Sequence, residues 1–208
     1  ELKITGKMLD ILQNSQVINP SIAFRPGQPL STISISQKVM AFANANQNID
    51  TEFGIYELNK LFGAISIFKD PSIMVEKHVL MISEGNRQLY YTTCDTRDIV
   101  APGENTPKEL PTVDVEFKIT DKMLKDALKA ASILNQPHVV FEGSGSKVVI
   151  STQNVDKPTN DSYVEDVGEF TGGETVFKII LKTENLHLMP GDYTVKISFK
   201  KIVQFIGH

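Results

Sequence analysis

The sequence predicts an α+β fold in which one domain of helices and antiparallel strands occurs twice. Residues 3–9 (KITGKML) return at residues 118–124 (KITDKML) with a single difference, and this offset exceeds half of the 208 residues. Each half then shows the same order of helix, strands, helix and strands. Residues 100–111 contain three prolines and little that could pack, which is typical of a connector. The expected parts are a first domain over 1–98, a connector over 99–111 and a second domain over 112–208.

The first copy opens with an amphipathic helix, predicted over residues 5–14, in which Met8 and Leu12 share one side. A second helix is predicted over residues 55–68. Gly63 weakens this second helix, and its apolar tail fits a strand equally well. Alternating apolar residues predict strands over residues 30–36, 38–45, 49–53, 73–76, 79–83 and 88–93.

The second copy contains the strongest helix pattern of the chain, over residues 120–134. Thr120 is suited to the N-cap, and Asp121 is favourable in the first turn. A short fourth helix is predicted over residues 184–189, capped by Thr183 and ended by a Pro-Gly pair. The strands predicted in this half cover residues 139–142, 147–152, 162–167, 176–181, 193–199 and 202–205.

The composition limits the classes of protein that the chain can belong to. Hydrophobic residues make up 41% and charged residues 22% of the sequence, as in ordinary globular proteins. No apolar stretch is long enough to cross a membrane as a helix. A single cysteine excludes an internal disulfide framework and fits a reducing compartment. The net charge of −4 argues against binding nucleic acid over the whole surface but leaves room for a local basic face.

Lysines recur on the polar side of the repeated helix. In the second copy they are spaced by four, three and four residues, which places them within a stripe roughly 60° wide. Like charges in such a row cost a few tenths of a kcal/mol per pair, roughly the reverse of a favourable ion pair. A solvated helix face would explain one such stripe, whereas its recurrence in both halves favours a polyanion lying across the helices. The lysines concerned are Lys3 and Lys7 in the first copy and Lys118, Lys122, Lys125 and Lys129 in the second.

The sequence contains few residues in arrangements that are typical of an enzyme. The four histidines are isolated and have no partner at metal-ligand spacing. Residues 143–145 (GSG) resemble a nucleophile turn, but they lie in a predicted hairpin and not between a strand and a helix. Cys94 is interpreted as a small strand hydrophobe, and the acidic set Glu165, Asp166 and Glu169 as a charged strand edge. We therefore assign no catalytic residue, no metal site and no cofactor.

Four short motifs occur in the order and with the spacing of one known family. Residues 53–63 (FGIYELNKLFG) resemble the "IYDLNxFLG" helix of the T-even-type bacteriophage sliding clamps, and residues 99–102 (IVAP) resemble their "VVAP" motif. Residues 188–193 (LMPGDY) are similar to the family's "MxPGNY" turn, and residues 14–22 loosely match "NFATINSGI". Each motif alone is weak, but together they span nearly the whole chain.

The resemblance implies a DNA polymerase processivity factor of the DNA-clamp fold. In this family, three subunits of two pseudo-repeated domains form a homotrimeric ring around duplex DNA, with helices lining the hole and sheets outside. The implied partners are DNA, bound without sequence preference, a DNA polymerase and a clamp loader, with no cofactor and no membrane. The implied location is the cytoplasm of an infected bacterial host.

The resemblance also implies roles for particular residues. The residues expected to face DNA are Lys3, Lys7, Lys60, Lys118, Lys122, Lys125 and Lys129. A hydrophobic pocket for a partner peptide is expected to be bordered by Ile99, Val100, Pro102, Met189 and Pro190. The ring is expected to close where strand 88–93 meets strand 162–167 of a neighbour, through Gln88, Tyr90, Thr92, Tyr163, Glu165 and Val167.

The end of the sequence departs from the family pattern. The family has a further strand and an acidic tail after the strand that corresponds to residues 202–205, whereas this sequence ends at His208. Either the protein continues beyond this sequence or its last sheet has one strand fewer. The alternative function is that of a non-enzymatic phage structural or adaptor protein that assembles through sheet edges.

Overall fold

Two units of the chain, Glu1–Thr106 and Pro107–His208, each contain their own helices and antiparallel sheets. The computed structural model describes residue 2 and residues 4–45, 49–103, 105–157, 161–173 and 175–208. Of the candidate residues, Lys3 lies outside this described part.

The first unit contains two helices and seven strands among its described residues. In chain order they are α1 (Gly6–Ile18), β1 (Ile22–Phe24), β2 (Leu30–Ile33), β3 (Met40–Ala43), β4 (Phe53–Ile55), α2 (Leu58–Ser66), β5 (Ser72–Glu76), β6 (Val79–Glu84) and β7 (Arg87–Thr92). A four-stranded sheet has the order β3-β2-β1-β4, and a three-stranded sheet has the order β5-β6-β7. Leu2 bridges to Ile73 of β5.

The second unit begins with a strand and contains one long helix. Its elements are β8 (Val115–Ile119), α3 (Asp121–Ile133), β9 (His138–Ser144), β10 (Lys147–Gln153), β11 (Tyr163–Glu169), β12 (Phe177–Lys182), β13 (Tyr193–Ser198) and β14 (Ile202–Gly207). The sheets have the orders β11-β10-β9-β12 and β14-β13-β8. The four-stranded sheet thus repeats the strand order of the first unit, and the β8–β13 pairing matches the bridge between Leu2 and Ile73.

The repeated heptad forms the same helix start in both units. Thr5 is the N-cap of α1, and its Oγ1 accepts the N–H of Met8 at 3.3 Å. Thr120 is the N-cap of α3, and its Oγ1 accepts the N–H of Met123 at 3.3 Å. Each hydroxyl satisfies one of the backbone donors that a helix leaves unpaired at its first turn. The local chemistry of the repeat therefore fixes where each helix begins.

Each unit has its own apolar core. In the first, Met8 and Leu12 of α1 are fully buried, and the rings of Phe24 and Phe53 stack with centroids 4.5 Å apart. In the second, α3 packs across β9, β10 and β11. There the ring of Phe141 is fully buried between Phe117 and Phe205, with centroids at 5.2 and 6.4 Å.

Several element boundaries in the first unit differ from the prediction. α1 continues to Ile18, four residues beyond the predicted end. The strand predicted over 49–53 is wrong, because the strand here is β4, Phe53–Ile55, all of whose residues are buried. The predicted helix over 55–68 is shorter because Ile55 belongs to β4 and the N–H of Leu58 donates to the carbonyl of Pro20. The buried strand β1 was not predicted, since three residues are too few for a periodic signal.

Two predictions for the second unit are also corrected. Residues 115–119 alternate between buried and exposed positions and form β8, so Lys118 lies on a strand and not on the helix stripe. The helix predicted over 184–189 is only a 3₁₀ turn at Thr183–Asn185. Leu186 and Leu188 both pack against the core, and this spacing of two residues suits an extended chain better than a helix.

Replacing Phe141 by alanine should strongly destabilise the second unit. Removing a fully buried ring costs about 3–5 kcal/mol of unfolding free energy through lost burial and the remaining cavity. Val176, which is 79% exposed in the same unit, provides the control, because Val176→Ala should change the free energy by less than about 0.5 kcal/mol. Urea denaturation followed by circular dichroism measures both, and equal midpoints for the two variants would contradict this description of the core.

Candidate functional site

Three of the predicted lysines lie exposed along α3, and two of them have acidic partners. Lys122 Nζ lies 2.6 Å from Asp126 Oδ2, and Lys125 pairs with Asp121 one turn earlier. For Lys129 no ion pair occurs within the described residues. Three lysines and two aspartates leave α3 with a formal charge of +1, so its basic face is weaker than the lysine spacing alone predicts.

The other predicted lysines stand on different elements. Lys7 is exposed in the first turn of α1, and Lys60 is exposed on α2. Lys118 is exposed on β8, opposite Thr194 of β13. In each unit the structure thus places exposed lysines at the start of the repeated helix or next to it.

The start of α3 is tied to a turn that is distant in sequence. The N–H of Asp121 donates to Asp192 Oδ1 at 2.8 Å, and Asp121 Oδ1 accepts the N–H of Gly191 at 2.8 Å. The hydroxyl of Tyr193 donates to the carbonyl of Met189 at 2.6 Å. The hydrogen bonds from Lys125 and Gly191 hold the pKa of the Asp121 carboxyl below its ordinary value of 3.8.

Residues Met189 and Pro190, predicted to border the peptide pocket, belong to this turn. Met189 is half-buried and Pro190 is exposed. Sequence reasoning assigned Asp121 only a favourable position in the first helical turn. Its contact with Gly191 spans 70 residues, and no local pattern indicates it.

The other predicted pocket residues lie in the first unit, after a short 3₁₀ turn at Thr96–Asp98. Ile99 and Pro102 are buried, whereas Val100 is 53% exposed. Gly54 allows Ile99 to approach closely, because a Cβ at Gly54 would lie 2.6 Å from Ile99 Cδ1. The exposed side chain of Val100 therefore follows a firmly packed residue, Ile99.

Two side chains that sequence reasoning missed hold this segment in place. Asn19 Nδ2 donates to the carbonyl of Val100 at 3.3 Å, and Arg25 Nη1 donates to the carbonyl of Pro102 at 3.3 Å. Asn19 is also the C-cap of α1, and its amide donates to Ile33 as well. An Asn-Pro pair after a predicted helix was the available signal for this role.

The predicted subunit-interface residues lie on two strands at sheet edges. β7 and β11 are outermost in their sheets, with no further strand beside them in the described chain. The N–H of Thr93, the residue after β7, donates to the carbonyl of His78, the residue before β6. Since this direction alternates along an antiparallel strand, Gln88, Tyr90 and Thr92 turn their N–H groups toward the free edge.

A hydrogen bond orders one face of β11. The Tyr163 hydroxyl donates to Glu165 Oε2 at 2.5 Å, and Val167 is half-buried on the same strand. The Glu165 carboxylate raises the pKa of Tyr163 to about 12, with burial and the charge of Asp126 acting in the same direction. Tyr163 and Glu165 thus form a preordered polar pair.

The contacts of the residues considered for catalysis or metal binding are those of structural residues. Burial raises the pKa of the Cys94 thiol, which makes it a poor nucleophile at neutral pH. Asp166 pairs with Lys147 at 3.5 Å and accepts the N–H of Gly168. The described residues contain no cluster of three or more His, Cys, Asp or Glu side chains that could hold a metal ion. They also contain no helix long and apolar enough to span a membrane.

Comparison with known proteins identifies relatives over nearly the full chain. The sliding clamp of Vibrio phage KVP40 is 23% identical over 211 residues, covering 99% of this chain and 95% of the relative. The sliding clamps of Enterobacteria phage T4 and Escherichia phage RB69 are 24% and 23% identical, covering 92% and 94% of this chain and 85% and 87% of the relatives. No protein-family model matches the chain. The chain is thus similar to phage sliding clamps over nearly its whole length.

Solved structures agree with the α+β clamp fold. PCNA from A. fulgidus, bound to the C-terminal region of FEN-1, aligns with a TM-score of 0.69 and 17% identity over 97% of this chain and 89% of its own. The PCNA2–PCNA3 complex from Sulfolobus tokodaii aligns with a TM-score of 0.66 and 13% identity over 96% of this chain and 89% of the matched chain. The predicted fold class and the predicted resemblance to sliding clamps are therefore confirmed.

Removing the Glu165 carboxylate should lower the pH at which Tyr163 ionises. The raised pKa means that folding favours the protonated phenol, so this contribution to stability is complete below pH 10 and is lost as the pH rises toward about 12. Alkaline absorbance titration of the protein minus that of Tyr163→Phe isolates this phenol. The same difference measured in a Glu165→Gln background should show a midpoint closer to 10, and an unchanged midpoint would contradict the assigned cause.

Proposed function

We propose that this protein is a DNA polymerase sliding clamp, a closed ring that encircles duplex DNA and tethers the polymerase for processive synthesis. The similarity to three phage sliding clamps over nearly the whole chain carries this conclusion. The fold shared with PCNA and the internal repetition of sheet order and helix cap are consistent with it.

The proposed DNA-facing residues are lysines in both domains, and those among the described residues are exposed. They comprise Lys7 and Lys60 in the first and Lys118, Lys122, Lys125 and Lys129 in the second, together with Lys3 outside the described residues. Lysines contact phosphates, which carry no sequence information, so such residues allow sliding. The net charge of −4 and the ion pairs on α3 keep the attraction weak, as retention by encirclement requires.

Ring closure is proposed to join β7 of one subunit to β11 of the next. Both strands present an unpaired edge in the described chain, and such an edge is a ready template for pairing with another chain. Gln88, Tyr90 and Thr92 turn their N–H groups outward on β7, while Tyr163, Glu165 and Val167 lie on β11. A homotrimer is the proposed assembly.

The proposed partner-binding residues are Ile99, Val100 and Pro102 in the first unit and Met189 and Pro190 in the second. The proposed partners are a DNA polymerase and a clamp loader. The FEN-1 segment bound by the A. fulgidus PCNA supports a peptide-like mode of binding. The exposed Val100 and the hydrogen-bonded backbone around it suit such a ligand, because little ordering is needed on binding.

Encirclement predicts that the protein leaves duplex DNA only over a free end. After loading by its clamp loader, the protein should remain on nicked circular duplex DNA and leave when a restriction enzyme linearises it. Gel filtration with labelled protein measures retention before and after cutting. Equal retention on circles and linear DNA would contradict encirclement and favour an adaptor that binds DNA directly.

Comparing two lysine variants tests whether Lys129 contacts a phosphate or only adds to the net charge of the protein. Lys129→Ala should reduce the steepness of the salt dependence of equilibrium binding to linear duplex DNA, by about 0.9 in the log–log slope for each phosphate that the lysine no longer neutralises. Lys147→Ala provides the control, since Lys147 is exposed on β10 and pairs with Asp166 at 3.5 Å. A similar change in slope for both variants would argue against a DNA-facing role for α3.

Edge pairing predicts that a proline at Tyr90 opens the ring. Tyr90→Pro removes an N–H that points to the free edge of β7 and leaves the ladder with β6 intact, and proline is tolerated on an edge strand. Sedimentation equilibrium should show a mass near three times 23.1 kDa for the unmodified protein and for Tyr90→Phe, which keeps the N–H. Tyr90→Pro should sediment as a monomer, and a trimer of normal affinity would rule out this edge.

A further inference from the structure

The two copies of the repeated heptad differ at one position, and at that position the second copy contacts a turn that is distant in sequence. The heptad reads KITGKML in the first unit and KITDKML in the second, so Gly6 stands where the second copy has Asp121. Gly6 is the first residue of α1 and has no side chain. Asp121 is the first residue of α3, and its carboxylate contacts two other parts of the second unit.

One oxygen of the Asp121 carboxylate holds the turn that precedes β13. Oδ1 accepts the N–H of Gly191 at 2.8 Å, while the N–H of Asp121 donates to Asp192 Oδ1 at 2.8 Å. The exchange is reciprocal, because the turn supplies an acceptor to an unpaired donor of the helix and the helix supplies an acceptor to the turn. Gly191 has φ +147°, a conformation that other residues rarely adopt. The hydrogen bonds to Asp121 therefore help to select the backbone conformation of this turn.

The other oxygen of the same carboxylate pairs with a lysine among the proposed DNA-facing residues. Asp121 Oδ2 accepts from Lys125 one turn along α3. The second ion pair of α3, between Lys122 and Asp126, has the same spacing of four residues. The Asp126 carboxylate bonds to Lys122, whereas the Asp121 carboxylate bonds to both a lysine and the turn at residues 189–192. The two pairs thus share a spacing of four residues, although the acid precedes the lysine in one and follows it in the other, and they differ in what else the acid holds.

We propose that Asp121 is a positioning residue through which a single carboxylate both sets the conformation of the turn at residues 189–192 and restrains Lys125. This rests on the proposed function, in which Lys125 faces DNA and Met189 and Pro190 bind the partner. Asp121 touches neither DNA nor the partner. It fixes the backbone that presents Met189 and Pro190, and it limits the charge that α3 offers to phosphate. The first unit cannot do this at the equivalent position, because Gly6 has no carboxylate.

Three variants separate the two roles. Asp121→Ala removes both interactions. Asp121→Asn keeps a side-chain oxygen for the N–H of Gly191 but removes the charge that pairs with Lys125. Asp126→Asn removes the matched charge from Lys122 and leaves the turn untouched. Each of the three variants removes one negative charge from each subunit. A difference between them therefore cannot come from the net charge.

The turn is measured without DNA or a partner, by hydrogen–deuterium exchange of Gly191 in the full-length protein. Asp121→Ala should speed exchange at Gly191 by at least about tenfold, because the N–H loses its acceptor. Asp121→Asn and Asp126→Asn should exchange like the unmodified protein. The positioning role is refuted if Asp121→Ala exchanges normally, or if Asp126→Asn speeds exchange as much, since the cause would then be general loosening of α3.

The lysine restraint is measured by the salt dependence of equilibrium binding to linear duplex DNA, to which encirclement does not contribute. All three variants should steepen this dependence relative to the unmodified protein, because each frees a lysine for phosphate. No change in Asp121→Asn and Asp121→Ala, whatever Asp126→Asn shows, would mean that Asp121 does not restrain Lys125 and would overturn that half of the proposal. If no form of the protein is retained on circles, the proposed clamp function fails, while the exchange at Gly191 still decides the positioning role.

Discussion

The threonine that caps each repeated helix determines how the surrounding residues are displayed. Thr5 and Thr120 each accept an N–H from the third residue after them, and this bond sets the boundary between the preceding chain and the helix. Residues on the helix side, such as Lys7 and Lys122, follow helical spacing. Lys118 lies before the boundary and follows the alternation of β8. The same capping bond in both units gives the duplicated domains a common reference point for their basic side chains.

The sequence predicted most of the helices and strands whose periodicity extends over several turns or strand residues. α3, its N-cap and the hairpin of β6 and β7 were predicted with errors of one or two residues at their ends. Several of the failures have a physical cause. β1 and β4 contain three residues each, too few to show a period, and the Leu186–Leu188 spacing was interpreted as part of a helix although both side chains face the core. Local pattern cannot reveal what a residue packs against.

The candidate site was predictable in part for the same reason. Exposed lysines follow from helical spacing, and the edge positions of β7 and β11 followed from the resemblance. Their charge partners did not follow as easily. The spacing of the lysines alone did not indicate that the Asp126 carboxylate reaches Lys122, although side chains four residues apart meet on a helix surface. Asn19 and Arg25, which hold the backbone of Val100 and Pro102, act across more than 70 residues. Long-range hydrogen bonds of this kind leave no periodic signal.

The balance of charge on α3 suits a protein that must move along its ligand. A row of unpaired lysines would increase affinity for phosphate and its dependence on salt, but it would also slow sliding. Intrahelical pairs with Asp121 and Asp126 leave each lysine able to exchange its carboxylate for a phosphate at small cost, since exposed ion pairs contribute little stability. In the proposed ring, such a surface would guide DNA without fixing it. In this arrangement an aspartate at the helix start contributes twice, because the group that moderates the basic surface also orders the backbone of a neighbouring turn.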